Sequence, residues 1–273
     1  MKNILTAVTL LLASNLYAQH SLDKIWQSDT ILRTPESVLY DAGAMILYVS
    51  NMNSAPGSKK ESGFISKMDL NGKMIKSAFI TGLDGPKGLG KYKNLLYVAE
   101  MTEVSVIDVD KGLVIQRIPV EGAQLLNDIT IDSRGIVYVS DTKTNKVHRI
   151  ENGIPTVYLE NMKSANGVLA VGTDLYVLTN GSLQKADANK NLTTVADGMD
   201  PSTDGIEMVK ENEFIVSCWI GIVYYVKTDG SRQVLFDTRD QKINSADIGY
   251  DTKNKIVYVP TFFKNSIYAY KLK

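Results

Sequence analysis

The stretch Ser202-Thr203-Asp204-Gly205-Ile206-Glu207 combines a polar turn with the start of a strand, and five related stretches occur elsewhere in the chain. The five are Pro35-Glu36-Ser37-Val38, Pro86-Lys87-Gly88-Leu89, Leu126-Asn127-Asp128-Ile129, Ala165-Asn166-Gly167-Val168 and Ser245-Ala246-Asp247-Ile248. Their corresponding positions are Glu36, Lys87, Asn127, Asn166, Asp204 and Ala246, separated by 51, 40, 39, 38 and 42 residues. A repeat of about 40 residues with four short strands is typical of a β-propeller blade. The spacing therefore predicts an all-β, six-bladed β-propeller in which these six positions surround one central channel.

The segments that follow these stretches support the same fold. β-branched and aromatic residues fill predicted second strands such as Ile46–Ser50 and Ile136–Ser140. Pairs such as Asn71-Gly72 then predict tight hairpin turns. The last repeat ends after its predicted third strand, Asn265–Leu272, whereas strand-like residues Asp23–Leu32 stand unassigned near the start of the chain. We expect this N-terminal strand to supply the missing outer strand and close the propeller.

Composition excludes several classes of site. The 273 residues include 30 basic and 30 acidic side chains, so the formal net charge is zero and we expect no nucleic-acid partner. One cysteine, Cys218, rules out an intramolecular disulfide and a cysteine-rich zinc site. With only His20 and His148, a centre built from several histidines is also excluded. No nucleophile-elbow or phosphate-loop motif is present, so serine hydrolases and nucleoside triphosphatases have no support.

The first residues have the pattern of a secretory signal peptide. Lys2 precedes an apolar run from Ile4 to Ala13, and Tyr17-Ala18-Gln19 offers a small residue for cleavage. The apolar run is too short to cross a bilayer. We therefore expect a signal peptide over residues 1–18, one domain over residues 19–273, and a periplasmic or secreted protein without a membrane anchor. The oligomeric state is not predictable from these features.

The six aligned positions offer a possible metal site. Glu36 and Asp204 supply two carboxylates, while Asn127 and Asn166 supply two amide oxygens. Such an all-oxygen set favours a divalent cation, most of all Ca²⁺ and also Mg²⁺ or Mn²⁺, over zinc or copper. Two alternatives remain open: these residues are simply turn formers at the entry to each blade, or Lys87 neutralises the carboxylates in place of a metal.

Loops at the channel mouth are candidates for substrate binding. Met101, Trp219 and Phe262 follow second strands and should lie on the same face as Lys87. We predict that these four residues line a substrate pocket for a small molecule. The expanded loop from Asn51 to Gly63 is either a lid over the channel mouth or a surface loop without a functional role.

The motifs resemble those of the SMP-30/gluconolactonase family. Glu36 after a proline, Asn127-Asp128, Asn166-Gly167 and Asp204-Gly205 each begin a blade, as the metal-binding positions of that family do. The resemblance extends over residues 19–273 in blade number and order. It is shared with the wider six-bladed calcium-dependent phosphotriesterase-type propellers, so it identifies a general class of site.

The resemblance implies a metal-dependent hydrolase of lactones or related esters. It implies that Glu36, Asn166 and Asp204 bind the cation, that Asn127 is a ligand or a water partner, and that Asp204 also acts as the catalytic base. The chain departs from sugar lactonases at Leu125, where those enzymes carry an arginine that binds substrate hydroxyls. The alternative is a non-catalytic propeller, similar to NHL or YncE-like proteins, that binds a partner or ligand.

Overall fold

The computed structural model describes residues 19–53 and 62–273, which form six antiparallel sheets of four strands each. The chain enters through β1 (Leu22–Gln27). Blade 1 then contains β2 (Pro35–Asp41), β3 (Ile46–Asn51), β4 (Gly63–Asp69) and β5 (Met74–Leu83). Blade 2 contains β6 (Leu89–Tyr92), β7 (Leu95–Ala99), β8 (Glu103–Asp108) and β9 (Leu113–Pro119). Blade 3 contains β10 (Leu126–Ile131), β11 (Val137–Asp141), β12 (Lys146–Glu151) and β13 (Ile154–Leu159).

The second half of the chain repeats this order from inner to outer strand. Blade 4 contains β14 (Ala165–Val171), β15 (Asp174–Thr179), β16 (Ser182–Ala186) and β17 (Leu192–Ala196). Blade 5 contains β18 (Thr203–Lys210), β19 (Glu213–Cys218), β20 (Ile222–Lys227) and β21 (Arg232–Asp237). Blade 6 contains β22 (Gly249–Asp251), β23 (Ile256–Pro260) and β24 (Ile267–Leu272), with β1 as its outer strand. This architecture confirms the predicted all-β, six-bladed propeller.

The N-terminal strand closes the ring as expected. β1 pairs antiparallel with β24, from Leu22 opposite Leu272 to Gln27 opposite Tyr268. The strand is shorter than the predicted segment because the chain leaves the sheet after Gln27. Leu32, at the end of that segment, is instead buried in the core between blades 6 and 1.

The core lies between neighbouring blades, and this explains the hydrophobic pattern of the strands. β11 is buried along its whole length because both of its faces are covered, whereas outer strand β9 is mostly exposed. One cluster joins Tyr176 and Leu178 of blade 4 to Phe214 and Val216 of blade 5. Among the described residues, helical structure is limited to 3₁₀ turns at Arg239–Gln241 and Phe262–Lys264, and no helix is long or apolar enough to cross a membrane.

Two sequence predictions concern residues outside the described ranges. The signal peptide over residues 1–18 is one of them. Most of the expanded loop between Asn51 and Gly63, residues 54–61, is the other. Both stay predictions.

Candidate functional site

Four of the inner strands carry a β-bulge at the predicted axial residue. The pairing of β2 with β3 shifts register between Pro35 and Val38, so Glu36 lies within the irregular segment. Equivalent shifts enclose Asn127, Asn166 and Asp204 in β10, β14 and β18. A bulge re-orients a side chain relative to its sheet. The repeated bulge is therefore the local structure that turns these residues toward the channel.

Serines on the second strands stabilise three of these bulges. The Oγ atom of Ser50 accepts a hydrogen bond from the backbone N–H of Ser37 at 2.9 Å. Ser140 and Ser217 accept the equivalent bonds from the backbone of blades 3 and 5 at 3.0 Å and 2.8 Å. These serines were missed by the sequence interpretation, although a Val-Ser pair at positions 49–50, 139–140 and 216–217 repeats visibly.

Glycines next to two axial residues allow neighbouring inner strands to approach closely. A Cβ atom on Gly167 would lie 2.3 Å from the carbonyl oxygen of Asp204, and one on Gly205 would lie 2.5 Å from Asp247 Oδ1. No larger residue fits at these contacts without a shift of the backbone. The narrow channel therefore depends on glycine immediately after the metal-ligand candidates.

One cavity of about 480 Å³ opens at the channel mouth. It brings together the predicted site residues Glu36, Lys87, Asn127, Asn166, Asp204, Trp219 and Phe262. Met101 is not among the lining residues; its Sδ atom instead lies 3.7 Å from Lys87 Nζ. Leu125 lines the cavity at the position where sugar lactonases are expected to carry arginine.

Unsatisfied oxygen atoms distinguish the floor of this cavity. Asn166 Nδ2 donates to Asp204 Oδ1 at 2.9 Å, and Asn127 Nδ2 donates to Thr142 Oγ1 at 3.1 Å. Asn166 Oδ1 and Glu36 Oε2 are buried and have no hydrogen-bond partner among the described residues. A buried acceptor without a donor is costly, so these two atoms mark a position suited to a bound polar ligand or cation.

Burial raises the pKa values of the two axial carboxyl groups, those of Glu36 and Asp204. The pKa of Glu36 is raised well above its usual value, first by burial and then by the charges of Asp204 and Asp247, while Lys87 opposes the shift. Burial and Asp247 also raise the pKa of Asp204, against the hydrogen bond from Asn166 and the charge of Lys87. Without a further cation, the pair is therefore driven toward taking up a proton.

Lys87 contributes a buried positive charge to the same cavity. Its Nζ donates to the carbonyl oxygen of Gly85 at 3.2 Å and lies 3.7 Å from the Sδ atom of Met101. Burial lowers the pKa of Lys87, while the charges of Glu36, Asp84 and others oppose that shift. Lys87, Glu36 and Asp204 line the same cavity, so a bound ligand can meet both the ammonium group and the axial carboxylates.

A second acidic layer lies deeper in the channel. Ser37 Oγ donates to Asp247 Oδ2 at 2.5 Å, and Asp128 accepts the backbone N–H of Val168 at 2.7 Å. Burial raises the pKa of Asp247 to about 7, against hydrogen bonds from Ser37 and Asp128. Burial likewise raises the pKa of Glu207 to about 8. Both acids line a separate cavity of about 220 Å³, which places them away from the channel mouth.

The donor set at the mouth fits a hard divalent cation. Within residues 19–53 and 62–273, no cluster of three or more histidine, cysteine, aspartate or glutamate side chains is arranged to hold a metal. A cation would therefore depend on the amide oxygens of Asn127 and Asn166 beside the carboxylates of Glu36 and Asp204. The unpartnered Glu36 Oε2 and Asn166 Oδ1 are suitable ligands for Ca²⁺, whose sites combine carboxylates and carbonyl groups.

Two other reactive residue types are excluded from the site. His148 is buried in β12, where its Nε2 lies 3.8 Å from Asp141 Oδ2, and it does not line the mouth cavity. Cys218 is buried, and burial raises the pKa of its thiol, so the reactive thiolate is disfavoured. The chemistry of the cavity therefore depends on carboxylates, amides and Lys87.

Comparisons with known proteins identify the fold. No family model matches the chain, and no curated protein matches it. Among solved structures, streptogramin B lyase is 12% identical with a TM-score of 0.67, covering 93% of this chain and 98% of that one. A catalytically inactive virginiamycin B lyase from Staphylococcus aureus with quinupristin is 11% identical with a TM-score of 0.65, covering 93% and 99%. A nidogen/laminin complex is 13% identical with a TM-score of 0.66, covering 80% and 84%.

At these identities the similarity establishes the propeller fold alone. The resemblance to the SMP-30/gluconolactonase family stays a prediction, because no family model supports it.

Proposed function

We propose that the protein is a metal-dependent hydrolase of lactones or related esters, acting in the cavity at the channel mouth. One observation carries the proposal: buried Glu36 Oε2 and Asn166 Oδ1 lack hydrogen-bond partners in the same cavity that holds Asp204 and Lys87. Unsatisfied oxygens, a carboxylate base and a buried ammonium group are the components that ester hydrolysis needs. The similarity to streptogramin B lyase supports the proposal to the extent that this fold can carry an enzyme.

The cation would be held by Glu36, Asn127, Asn166 and Asp204, with Ca²⁺ preferred and Mg²⁺ or Mn²⁺ as alternatives. When bound, such an ion polarises a carbonyl group and lowers the pKa of a water molecule. The two carboxylates bring two negative charges and Lys87 returns one positive charge, so a divalent ion improves the charge balance. The amide oxygens add no charge but complete the set of hard ligands.

Asp204 is the residue suited to accept the proton of the attacking water. Its Oδ1 is occupied by the hydrogen bond from Asn166 Nδ2, which leaves Oδ2 to receive the proton. Burial and the charge of Asp247 raise the pKa of Asp204, the direction that makes a carboxylate a stronger proton acceptor. As water oxygen bonds to the acyl carbon and the ester C–O bond breaks, the same proton passes to the leaving alkoxide. The ammonium group of Lys87 stabilises negative charge on the carbonyl oxygen.

The lining of the cavity defines the substrate only in part. Leu125 offers no hydrogen-bond donor for a sugar hydroxyl, which favours lactones or esters that are less polar than sugar lactones. A small-molecule substrate agrees with the cavity volume of about 480 Å³. If residues 1–18 direct export, the reaction takes place in the periplasm or outside the cell.

The competing function is binding without catalysis. The observation that favours it is Lys87 itself, because a lysine ammonium group in the cavity can substitute for a metal. The nidogen/laminin complex also shows a similar fold within a protein–protein assembly. In this alternative, the axial carboxylates and Lys87 form a structural charge network.

Two measurements test the proposal. Elemental analysis of purified protein should find a bound divalent metal, and a panel of lactones and esters should show turnover that EDTA abolishes. Asp204→Asn should lower kcat by at least about a hundredfold, because general bases contribute 10²–10⁴-fold. Glu207→Gln, at a half-buried acid outside the mouth cavity, is the matched control and should retain activity. Metal-loaded protein without turnover on any substrate would support the binding function instead.

A further inference from the structure

The cavity at the channel mouth has two chemically different sides. Trp219, Phe262 and Met52 belong to the loops of blades 5, 6 and 1, and together they form an apolar arc. Thr142, Lys143 and Ser164 belong to blades 3 and 4 and make the opposite side mostly polar, with Leu125 as its apolar member. A ligand in this cavity therefore meets the axial carboxylates and amides at the floor and an aromatic surface on one wall.

The aromatic wall is held in a defined geometry before any ligand binds. The rings of Trp219 and Phe262 lie 5.4 Å apart at 80°, and those of Phe262 and Phe263 lie 4.8 Å apart at 87°. These edge-to-face contacts are within the range at which aromatic pairs attract each other. Trp219 keeps 36% of its surface exposed despite this packing. Phe262 is only 3% exposed, so Trp219 supplies most of the free aromatic surface and Phe262 holds it in place.

The backbone at Phe262 is unusual for a large side chain. Its φ angle is 49°, in the left-handed region that bulky residues rarely adopt. The surrounding loop maintains this conformation: Asn265 N donates to Phe262 O at 3.1 Å, and Asn265 Oδ1 accepts the backbone N–H of Thr34 at 2.8 Å. Thr34 is two residues before Glu36, so the same loop ties the aromatic wall to the strand that carries an axial carboxylate. Strained conformations of this kind concentrate at ligand-binding sites.

We propose that Trp219 and Phe262 select lactones or esters that carry an aromatic ring on the carbon bonded to the ester oxygen. The inference rests on the proposed hydrolase function for the chemistry and adds the substrate class. The carbonyl group lies toward Lys87 and the axial oxygens, while the ring packs against Trp219 and Phe262. Aromatic contact with a preformed wall adds affinity that an unsubstituted lactone cannot gain.

A pair of substrates tests this selectivity. The ratio of kcat/KM for γ-phenyl-γ-butyrolactone to that for γ-butyrolactone should exceed about ten in the parent protein, since one well-placed aromatic contact is worth about tenfold. Phe262→Ala should lower this ratio by about tenfold, mainly through KM. Phe263→Ala is the matched control, because Phe263 belongs to the same cluster but does not line the cavity. An unchanged ratio in Phe262→Ala would overturn the inference.

A binding measurement separates this inference from the hydrolase function. The chain has only two tryptophans, so a Trp26→Phe background leaves Trp219 as the single fluorescent reporter. In this background, 4-hydroxy-4-phenylbutanoate should quench Trp219 saturably and more tightly than 4-hydroxybutanoate, and Phe262→Ala should abolish the difference. Melting temperatures check that each variant is folded. Quenching without any turnover would support the aromatic selectivity and contradict the hydrolase function. Turnover without aromatic preference or quenching would support the hydrolase function and contradict the aromatic selectivity.

Discussion

The variant Glu36→Gln should be more stable than the parent without calcium and less stable than the parent with calcium. Glu36 is 5% exposed, its Oε2 has no partner, and its pKa is raised by burial, Asp204 and Asp247. Stability associated with a raised carboxyl pKa is present at low pH and is lost as pH rises through the folded-state value. In EDTA at pH 8, the neutral glutamine should therefore make the protein more stable than the parent, by about 1–3 kcal/mol. At pH 5 the difference should shrink.

Calcium should increase the stability of the parent more than that of the variant. At a concentration of 100 times Kd, a ligand that binds only the folded state adds about 2.7 kcal/mol to the free energy of unfolding. For a chain of this size, that gain raises the melting temperature by about 5–10 °C. Glu36→Gln removes one of two charged ligands, so most of this shift should disappear. With excess calcium the parent should then melt above the variant.

Thermal melts of both proteins with EDTA and with Ca²⁺, Mg²⁺ or Mn²⁺ measure this reversal. Glu207→Gln serves as the control, because Glu207 is a half-buried acid with a raised pKa but lines the other cavity. Its calcium-induced shift should match that of the parent. If the parent melts at the same temperature under all conditions, or if Glu36→Gln responds to calcium as the parent does, the metal site at the axis is refuted.

Four further predictions test other parts of the structure. Deleting residues 19–33 removes β1 and exposes the edge of β24. The melting temperature should therefore fall by about 10 °C or more, with aggregation. An unchanged melting temperature would disprove closure by this strand. Lys87→Met should tighten calcium binding about tenfold in calorimetry by removing a competing charge; destabilisation in EDTA with no calcium binding would instead show that Lys87 replaces the metal. Glu207→Gln should reduce, by about 2 kcal/mol, the loss of stability expected of the parent between pH 5 and pH 8 in urea melts, since the pKa of Glu207 is about 8 and partial contact with water reduces the full effect. Gly167→Ala should cost about 1–3 kcal/mol and weaken calcium binding, because the added Cβ would meet the carbonyl oxygen of Asp204; unaltered binding would show that this close contact does not position Asp204.

The contacts of individual axial side chains were beyond prediction from repeat spacing. The sequence places Asn166 and Asp204 in neighbouring blades, but the hydrogen bond between them depends on two bulges and on the close approach at Gly167. The spacing also predicts that Lys87 faces the channel, yet whether it pairs with a carboxylate depends on rotamers and backbone contacts. In the structure Lys87 donates to Gly85 and contacts Met101 instead.

The sequence alone determined the architecture, and the reason is the repetition of local signals. Each blade is about 40 residues of short-range information: a turn and β-branched strands, with an Asn-Gly or Asp-Gly hairpin before the outer strand in blades 1, 3 and 5. The last repeat lacked an outer strand and the N-terminal segment lacked a partner, so the N-terminal strand was predicted to complete the last blade. The pairing of β1 with β24 confirms this prediction. Equivalent positions in a ring must face a common axis, so the cavity-lining residues Glu36, Lys87, Asn127, Asn166 and Asp204 were also predictable.

Only the tertiary structure decided the electrostatics of the channel and the shape of its aromatic wall. Ser37 and Asp247 are 210 positions apart, yet their hydrogen bond opposes the rise in the pKa of Asp247 that burial causes. Phe262 obtains its left-handed conformation from a loop that is tied to Thr34 at the opposite end of the chain. Desolvation and long-range Coulomb interactions depend on which atoms surround a group in space, and closure of the ring brings together residues that no local pattern connects.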